Sequence, residues 1–238
     1  MQSNGPDLAD QLNAFRTEFL CRLPAQERLC IDPANAAIQA SMGDRAIPLA
    51  GERAPDFALP DRHGTIVRLA DRLALGPVVL LFVRGGWCPF CTLTLRAYQA
   101  YLPEIHEAGG DLIAVTPQPA ATCCYMAERD LLAFQTLSDH DNQVARRYGI
   151  AYELDPALRP MYLRLGHDLP RLNATGNWIV PLPATFVIGQ DGLVALAHVE
   201  AGAHQRLDPS DVVAALAAVR RAGSMPVTSS SRHAVTAD

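Results

Sequence analysis

Apolar residues recur at helical spacing from near the start of the chain. Leu8, Leu12, Phe15, Phe19 and Leu23 follow one another at intervals of three or four residues, Asp7 stands at the N-cap position, and Pro24 closes the pattern. This predicts an amphipathic helix, followed by a short second helix over 34–42. Beyond residue 50 the period changes. Residues 55–59 and 65–69 flank Asp61-Arg62-His63-Gly64 and predict two short strands joined at a glycine turn. The run 77–83, Pro-Val-Val-Leu-Leu-Phe-Val, is apolar throughout and bounded by Gly76 and Gly85, the pattern of a strand buried on both faces. Leu93, Leu95, Tyr98, Leu102 and Ile105 resume a mostly helical spacing up to Gly109-Gly110, and 111–116 reads as the next buried strand. Residues 77–116 are therefore expected to form a βαβ unit.

Further helices are expected at 120–132, 141–148 and 156–165, and strands at 184–188 and 193–198 around the turn 189–192. A closing helix is expected over 208–221, with Pro209 in its first turn. From Gly223 onward Ser, Thr, Pro and Ala leave little to bury, so 223–238 is expected to be disordered. The element order predicts an α/β architecture, a mixed sheet between two helical layers. The expected organisation is an N-terminal helical extension over 1–46, one α/β domain over 47–222, and the tail.

Composition narrows the function. A net charge of −5 and no basic stripe argue against a nucleic-acid partner. No apolar run approaches the roughly 18 residues that a membrane span requires, so no membrane partner is expected. The N-terminal residues carry neither the positive leader nor the apolar run of a secretory signal, which points to the cytoplasm. All 20 cationic side chains are Arg, which excludes Schiff-base or lysine general-base chemistry. Six cysteines are too sparse for a disulfide scaffold and read as buried, metal-binding or catalytic thiols.

The chemistry concentrates in Arg84-Gly-Gly-Trp-Cys-Pro-Phe-Cys91. Cys88 and Cys91, two residues apart on the first turn of a helix after a buried strand, lie within disulfide reach at the positive end of the helix dipole, where thiolates are favoured. Pro89 suits that turn because its missing N–H costs nothing there. Arg84, at the mouth of the strand, is placed either to lend charge to one of the sulfurs or to be solvated at the strand end. Trp87 offers an apolar wall beside Cys88. A zinc site needs two more ligands, and Cys123 and Cys124, adjacent in sequence, cannot both chelate comfortably. No glycine-rich phosphate cradle occurs in a strand-to-helix context, so neither metal nor cofactor is expected.

Residues 51–222 resemble the AhpC/TSA peroxiredoxin family of the thioredoxin superfamily, in its branch with a Cys-x-x-Cys motif. The resemblance rests on Gly51-Glu-Arg-Ala-Pro-Asp-Phe-Ala-Leu59, the 84–91 motif, Thr136-Leu-Ser-Asp139, Val144-Ala-Arg-Arg-Tyr-Gly149 and Pro183-Ala-Thr-Phe-Val-Ile-Gly-Gln-Asp-Gly192. It implies a thioredoxin-like three-layer α/β/α sandwich and a thiol-dependent peroxidase acting on hydrogen peroxide or alkyl hydroperoxides. On this resemblance Cys91 takes the peroxidatic position, Cys88 replaces the family's Thr and acts as the resolving thiol, and Arg84 falls where the family has Pro. Pro183 stands where many relatives carry Arg, and its match in thioredoxin is a cis-proline facing the cysteine pair, so a cis bond is expected. The implied reductant is an external dithiol such as thioredoxin, and a homodimer is an expected assembly. Three other readings remain. One is a general thiol-disulfide oxidoreductase with Cys88 as nucleophile, one a copper-handling protein on the same fold, and one a redox-inert partner-binding module.

Overall fold

The computed structural model describes residues 7–202 and 204–223. Five strands form the central sheet in the order β5 (Gln135–Ser138), β4 (Asp111–Thr116), β3 (Val78–Phe82), β8 (Ala184–Ile188), β9 (Val194–Val199). β3 runs parallel to β4, and β4 to β5, whereas β8 is antiparallel to both β3 and β9. The expected hairpin is β1 (Ala58–Pro60) with β2 (Ile66–Arg68), and a second small pair joins β6 (Ala151–Glu153) to β7 (Ile179–Pro181).

The continuous apolar run of β3 has a simple cause. Val79, Leu81 and Val83 point into one core cluster, while Val78, Leu80 and Phe82 point into another on the opposite face. Alternation along a strand sends neighbouring side chains to opposite faces, so a strand covered on both sides has no polar position to offer. The first face is covered by α4 (Pro89–Ala100), α5 (Leu102–Glu107), α6 (Ala120–Arg129) and α10 (Pro209–Gly223). The second is covered by α3 (Leu69–Leu73), α7 (Gln143–Arg147) and the β1–β2 hairpin. This is the thioredoxin-like α/β/α arrangement.

The first predicted helix is α1 (Leu8–Arg22), with the Asp10 N–H donating to the Asp7 carboxylate at 2.7 Å. Leu8 and Leu12 sink into the same cluster as Cys88, Phe90 and Cys91. The second helix, α2 (Ala25–Ser41), begins nine residues before its predicted start and carries Pro33 in its interior. An interior proline costs a backbone hydrogen bond. Cys30, Ile31 and Ala34 nevertheless pack on Leu154, Leu158 and Met161, and this burial sustains the helix across the proline.

The remaining differences are local. The helix predicted across 93–105 divides at Tyr101 because Pro103 can only be accommodated in a first turn, that of α5. Residues 141–142 adopt positive φ, so α7 starts at Gln143, anchored by Val144 and Ala145 N–H groups that donate to Asp139 at 2.9 Å each. The 156–165 helix is a 3-10 turn, Pro156–Leu158, leading into α8 (Arg159–Arg164). α9 (Leu169–Leu172) and α3 were not expected. Of the expected disordered tail only Gly223 is described, as the last residue of α10.

Candidate active site

Between β3 and α4 the chain turns sharply, and the turn is held from outside. Gly85 has φ +143°, and a Cβ there would lie 2.6 Å from Trp87 Nε1 and 2.7 Å from Gln118 Oε1, so only glycine fits. The Gly86 N–H donates to Gln118 Oε1 (2.7 Å), and Arg129 donates to the Gly86 carbonyl (2.9 Å) and to Thr92 Oγ1 (3.0 Å). The Cys88 N–H donates to the Gly85 carbonyl at 3.1 Å. These bonds set Cys88 at the N-cap of α4, Pro89 at its first position and Cys91 one turn in.

The two thiols are free and buried. Their surroundings differ. Cys88 lines a cavity of about 580 Å³ together with Arg84, Trp87 and Pro183, whereas Cys91 lies deeper, among Leu95, Leu12 and the first core cluster. Arg84 is itself buried, at 5% exposure. Its Nη2 donates to Cys88 Sγ at 3.2 Å and its Nη1 to the Tyr162 hydroxyl at 3.1 Å, with the guanidinium 5.7 Å from the centre of the Trp87 ring. Trp87 packs against Tyr162 and His167.

Electrostatics separate the pair. Burial pushes the Cys88 thiol up, but the hydrogen bond from Cys91 and the charges of Arg84 and Arg206 outweigh it and hold Cys88 well below the ordinary thiol range. Cys91 moves the other way, since its hydrogen bond to Cys88 and its burial both favour the protonated form. The electrostatics therefore favour the thiolate at Cys88 and the protonated thiol at Cys91. Burial lowers the Arg206 pKa, and its interaction with the two cysteines opposes that shift.

Of the five residues expected at the site, Arg84, Trp87, Cys88 and Pro183 line one cavity, and Cys91 does not. Pro183 differs from expectation in one respect: no peptide bond among the described residues is cis, and Pro183 is trans. It enters β8 by way of Leu182, whose N–H is held by the Ile150 carbonyl, so the strand approaches extended and needs no cis turn. Sequence reasoning missed Gln118, Tyr162 and Arg206. Gln118 follows the β4 strand by two residues, at the sheet end where the motif opens, and that position was legible. Nothing in the pattern distinguishes Tyr162 or Arg206.

The other thiols point elsewhere. Cys123 S–H donates to the Gln118 carbonyl, and burial pushes this thiol up to about 12. Cys124 sits on Glu128, Cys30 on the Gln26 carbonyl, and Cys21 is exposed. Among the described residues no three His, Cys, Asp or Glu side chains gather into a metal-binding group, and no helix is long and apolar enough to cross a membrane.

A sequence model described as the AhpC/TSA family matches residues 50–197. The chain belongs to the AhpC/TSA family. The AhpC/TSA match runs from the approach to β1 into β9 and leaves α1, α2 and α10 outside. Peroxiredoxin Bcp of Escherichia coli strain K12 is 33% identical over 101 residues, 42% of this chain and 64% of that protein, so the chain spans somewhat less than two thirds of the relative's length. A putative peroxiredoxin of Mycobacterium tuberculosis is 31% identical over 111 residues, 47% of this chain and 72% of that one. Two solved structures share the AhpC/TSA architecture at low identity. Peroxidoxin BcpB from Mycobacterium tuberculosis has a TM-score of 0.57 at 24% identity, covering 73% of this chain and 97% of that one. The bacterioferritin comigratory protein of Xanthomonas campestris has 0.52 at 20%, covering 75% and 99%.

Proposed function

We propose that the protein is a thiol-dependent peroxidase in which Cys88 and Cys91 cycle between dithiol and disulfide. The observation that carries this reading is the hydrogen bond from Arg84 to Cys88 Sγ, 3.2 Å long, at the floor of the cavity. Membership of the AhpC/TSA family supports a peroxide as the oxidant. The alignment of motifs assigns the first attack to Cys91, but the geometry favours Cys88, the one of the two residues that lines the cavity and the one where the thiolate is favoured.

The Cys88 thiolate attacks the terminal oxygen of a hydroperoxide. The S–O bond forms, the O–O bond breaks, and the leaving alkoxide takes the Cys91 proton, giving an alcohol and a sulfenic acid on Cys88. The Cys91 thiolate then attacks the Cys88 sulfur and expels hydroxide, which takes a proton from solvent to become water. An external dithiol such as thioredoxin reduces the disulfide by exchange. Cys88 is 1% exposed, so a protein dithiol reaches it only when the cavity wall moves, whereas a peroxide enters through the cavity. A general thiol-disulfide oxidoreductase would need that movement in both half-reactions, which favours the peroxidase.

The test is oxidation of the two single mutants by one equivalent of peroxide with a sulfenic-acid trap and mass spectrometry. Cys91→Ser is expected to carry the trapped adduct on Cys88. An adduct on Cys91 in Cys88→Ser, with none in Cys91→Ser, reverses the order of attack. Should neither mutant react faster than free cysteine while the intact protein reduces protein disulfides, the oxidoreductase reading replaces this one.

A further inference from the structure

Tyr162 reaches the Arg84–Cys88 pair from a distant part of the chain. α8 carries it, anchored by Met161, which is buried in one cluster with Leu154 and Val180. Two rings fix the direction of the phenol. Trp87 meets it edge to face at 5.8 Å between ring centres, and His167 does so at 6.0 Å. The Tyr162 hydroxyl accepts a hydrogen bond from Arg84 Nη1 at 3.1 Å, while Nη2 of the same guanidinium donates to Cys88 Sγ at 3.2 Å. A single planar cation thus joins the hydroxyl to the sulfur, and all three residues line one cavity.

The hydroxyl oxygen takes the Arg84 bond, but the hydroxyl proton has no acceptor among the described residues. A phenol that accepts from a cation is a stronger donor in turn, because the cation draws electron density from its oxygen. Burial pushes the Tyr162 pKa up, so the proton stays on the oxygen through neutral pH. The site therefore holds a polarised donor with nothing to donate to, next to a sulfur whose reaction releases a charged oxygen.

We propose that Tyr162 is a further catalytic residue, whose hydroxyl donates a hydrogen bond to the oxygen that departs when Cys88 attacks a hydroperoxide. This rests on the peroxidase reading, to whose first step it adds a residue. As the S–O bond forms and the O–O bond breaks, negative charge passes from the sulfur to the departing oxygen. A donor already held in place when that charge appears stabilises the transition state without reorganisation. The proton that neutralises the departing alkoxide or hydroxide still comes from Cys91, so the balance of the step is unchanged and Tyr162 ends it as a phenol.

The experiment compares the full reduced chain with Tyr162→Phe, which keeps the ring and removes the hydroxyl. Single-turnover loss of the Cys88 thiol is followed with four reagents, each on the pH plateau of its rate. Hydrogen peroxide and tert-butyl hydroperoxide expel strongly basic oxygens, whereas peracetic acid expels acetate and iodoacetamide expels iodide, weak bases that need no donor. Tyr162→Phe is expected to slow both hydroperoxides by about tenfold or more and to change the other two rates by less than about threefold. A damaged turn or a lost thiolate would slow all four. If peracetic acid slows as much as the two hydroperoxides, or if neither hydroperoxide slows, the role of Tyr162 is overturned while the peroxidase reading stands. If neither hydroperoxide oxidises Cys88 of the unaltered protein faster than free cysteine, the peroxidase reading itself falls.

Discussion

Arg84 and Cys88 are four residues apart in the chain, and the turn between them folds the guanidinium back onto the sulfur at 3.2 Å, with both groups almost wholly buried. A buried cation facing a buried thiol stabilises the thiolate more than a surface cation would, because little solvent screens the pair. Together with the hydrogen bond from Cys91, the relationship favours the thiolate at Cys88, which lines the cavity.

The pH dependence of alkylation tests this directly. Burial opposes ionisation of Cys88, but Cys91, Arg84 and Arg206 overcome it, so the Cys88 alkylation rate should hold its plateau well below about pH 8.5, the usual thiol value. It should fall only in more acidic solution, as the thiolate takes up a proton. Arg84→Gln removes the charge and is expected to move the inflection upward. Arg206→Gln should move it the same way. An inflection unmoved by Arg84→Gln would refute the assignment.

Gly85→Ala should distort the motif without touching either sulfur. The position combines φ +143° with contacts of 2.6 and 2.7 Å to the added carbon, and such strain costs about 1–3 kcal/mol. Denaturant melts should show that loss together with slower Cys88 oxidation. A variant as stable and as fast as the parent would mean that the turn tolerates a side chain.

The peripheral cysteines should be silent. Cys123, its thiol pushed up to about 12 by burial, is expected to remain unalkylated at pH 8 in the folded protein, and Cys123→Ser, Cys21→Ser and Cys30→Ser are each expected to keep the parent rate of peroxide consumption. Peptide mapping after brief alkylation checks the first statement and thiol titration the second. A severalfold loss in Cys123→Ser would bring that thiol into the redox cycle.

Docking of α1 rests on Leu12, which is 1% exposed in the cluster beneath the motif. Leu12→Ala should cost about 2–5 kcal/mol in equilibrium unfolding, the usual range for a buried leucine. A change below about 1 kcal/mol would show that α1 is not tied to the body.

Much of the fold was legible because its signals are local. The two-faced apolar run of β3, the glycine-bounded strand β4, the α1 stripe with its Asp7 cap, and β8 with its boundaries all follow from spacing and turn residues alone. The Cys-x-x-Cys pair at a helix start was legible for the same reason, since its chemistry depends on positions within one turn. The elements that were missed have few residues and no period of their own. β5 is a four-residue strand whose Thr136 and Ser138 are buried only because β4 lies beside it, and α2 extends across Pro33 because its partners lie more than a hundred residues away.

By itself, then, the sequence determined where the cysteine pair stands, that it begins a helix after a doubly buried strand, and that Arg84 lies within one turn of it. Tertiary structure decided which sulfur faces the cavity, that Pro183 meets the site in the trans form, and that Gln118, Tyr162 and Arg206 join it. It also decided that α1 and α2 close over the motif. The reason is physical: acidity, access and enclosure depend on charges and walls contributed by segments distant in the chain. Periodicity reports which face of a helix or strand is buried and is silent about what it is buried against.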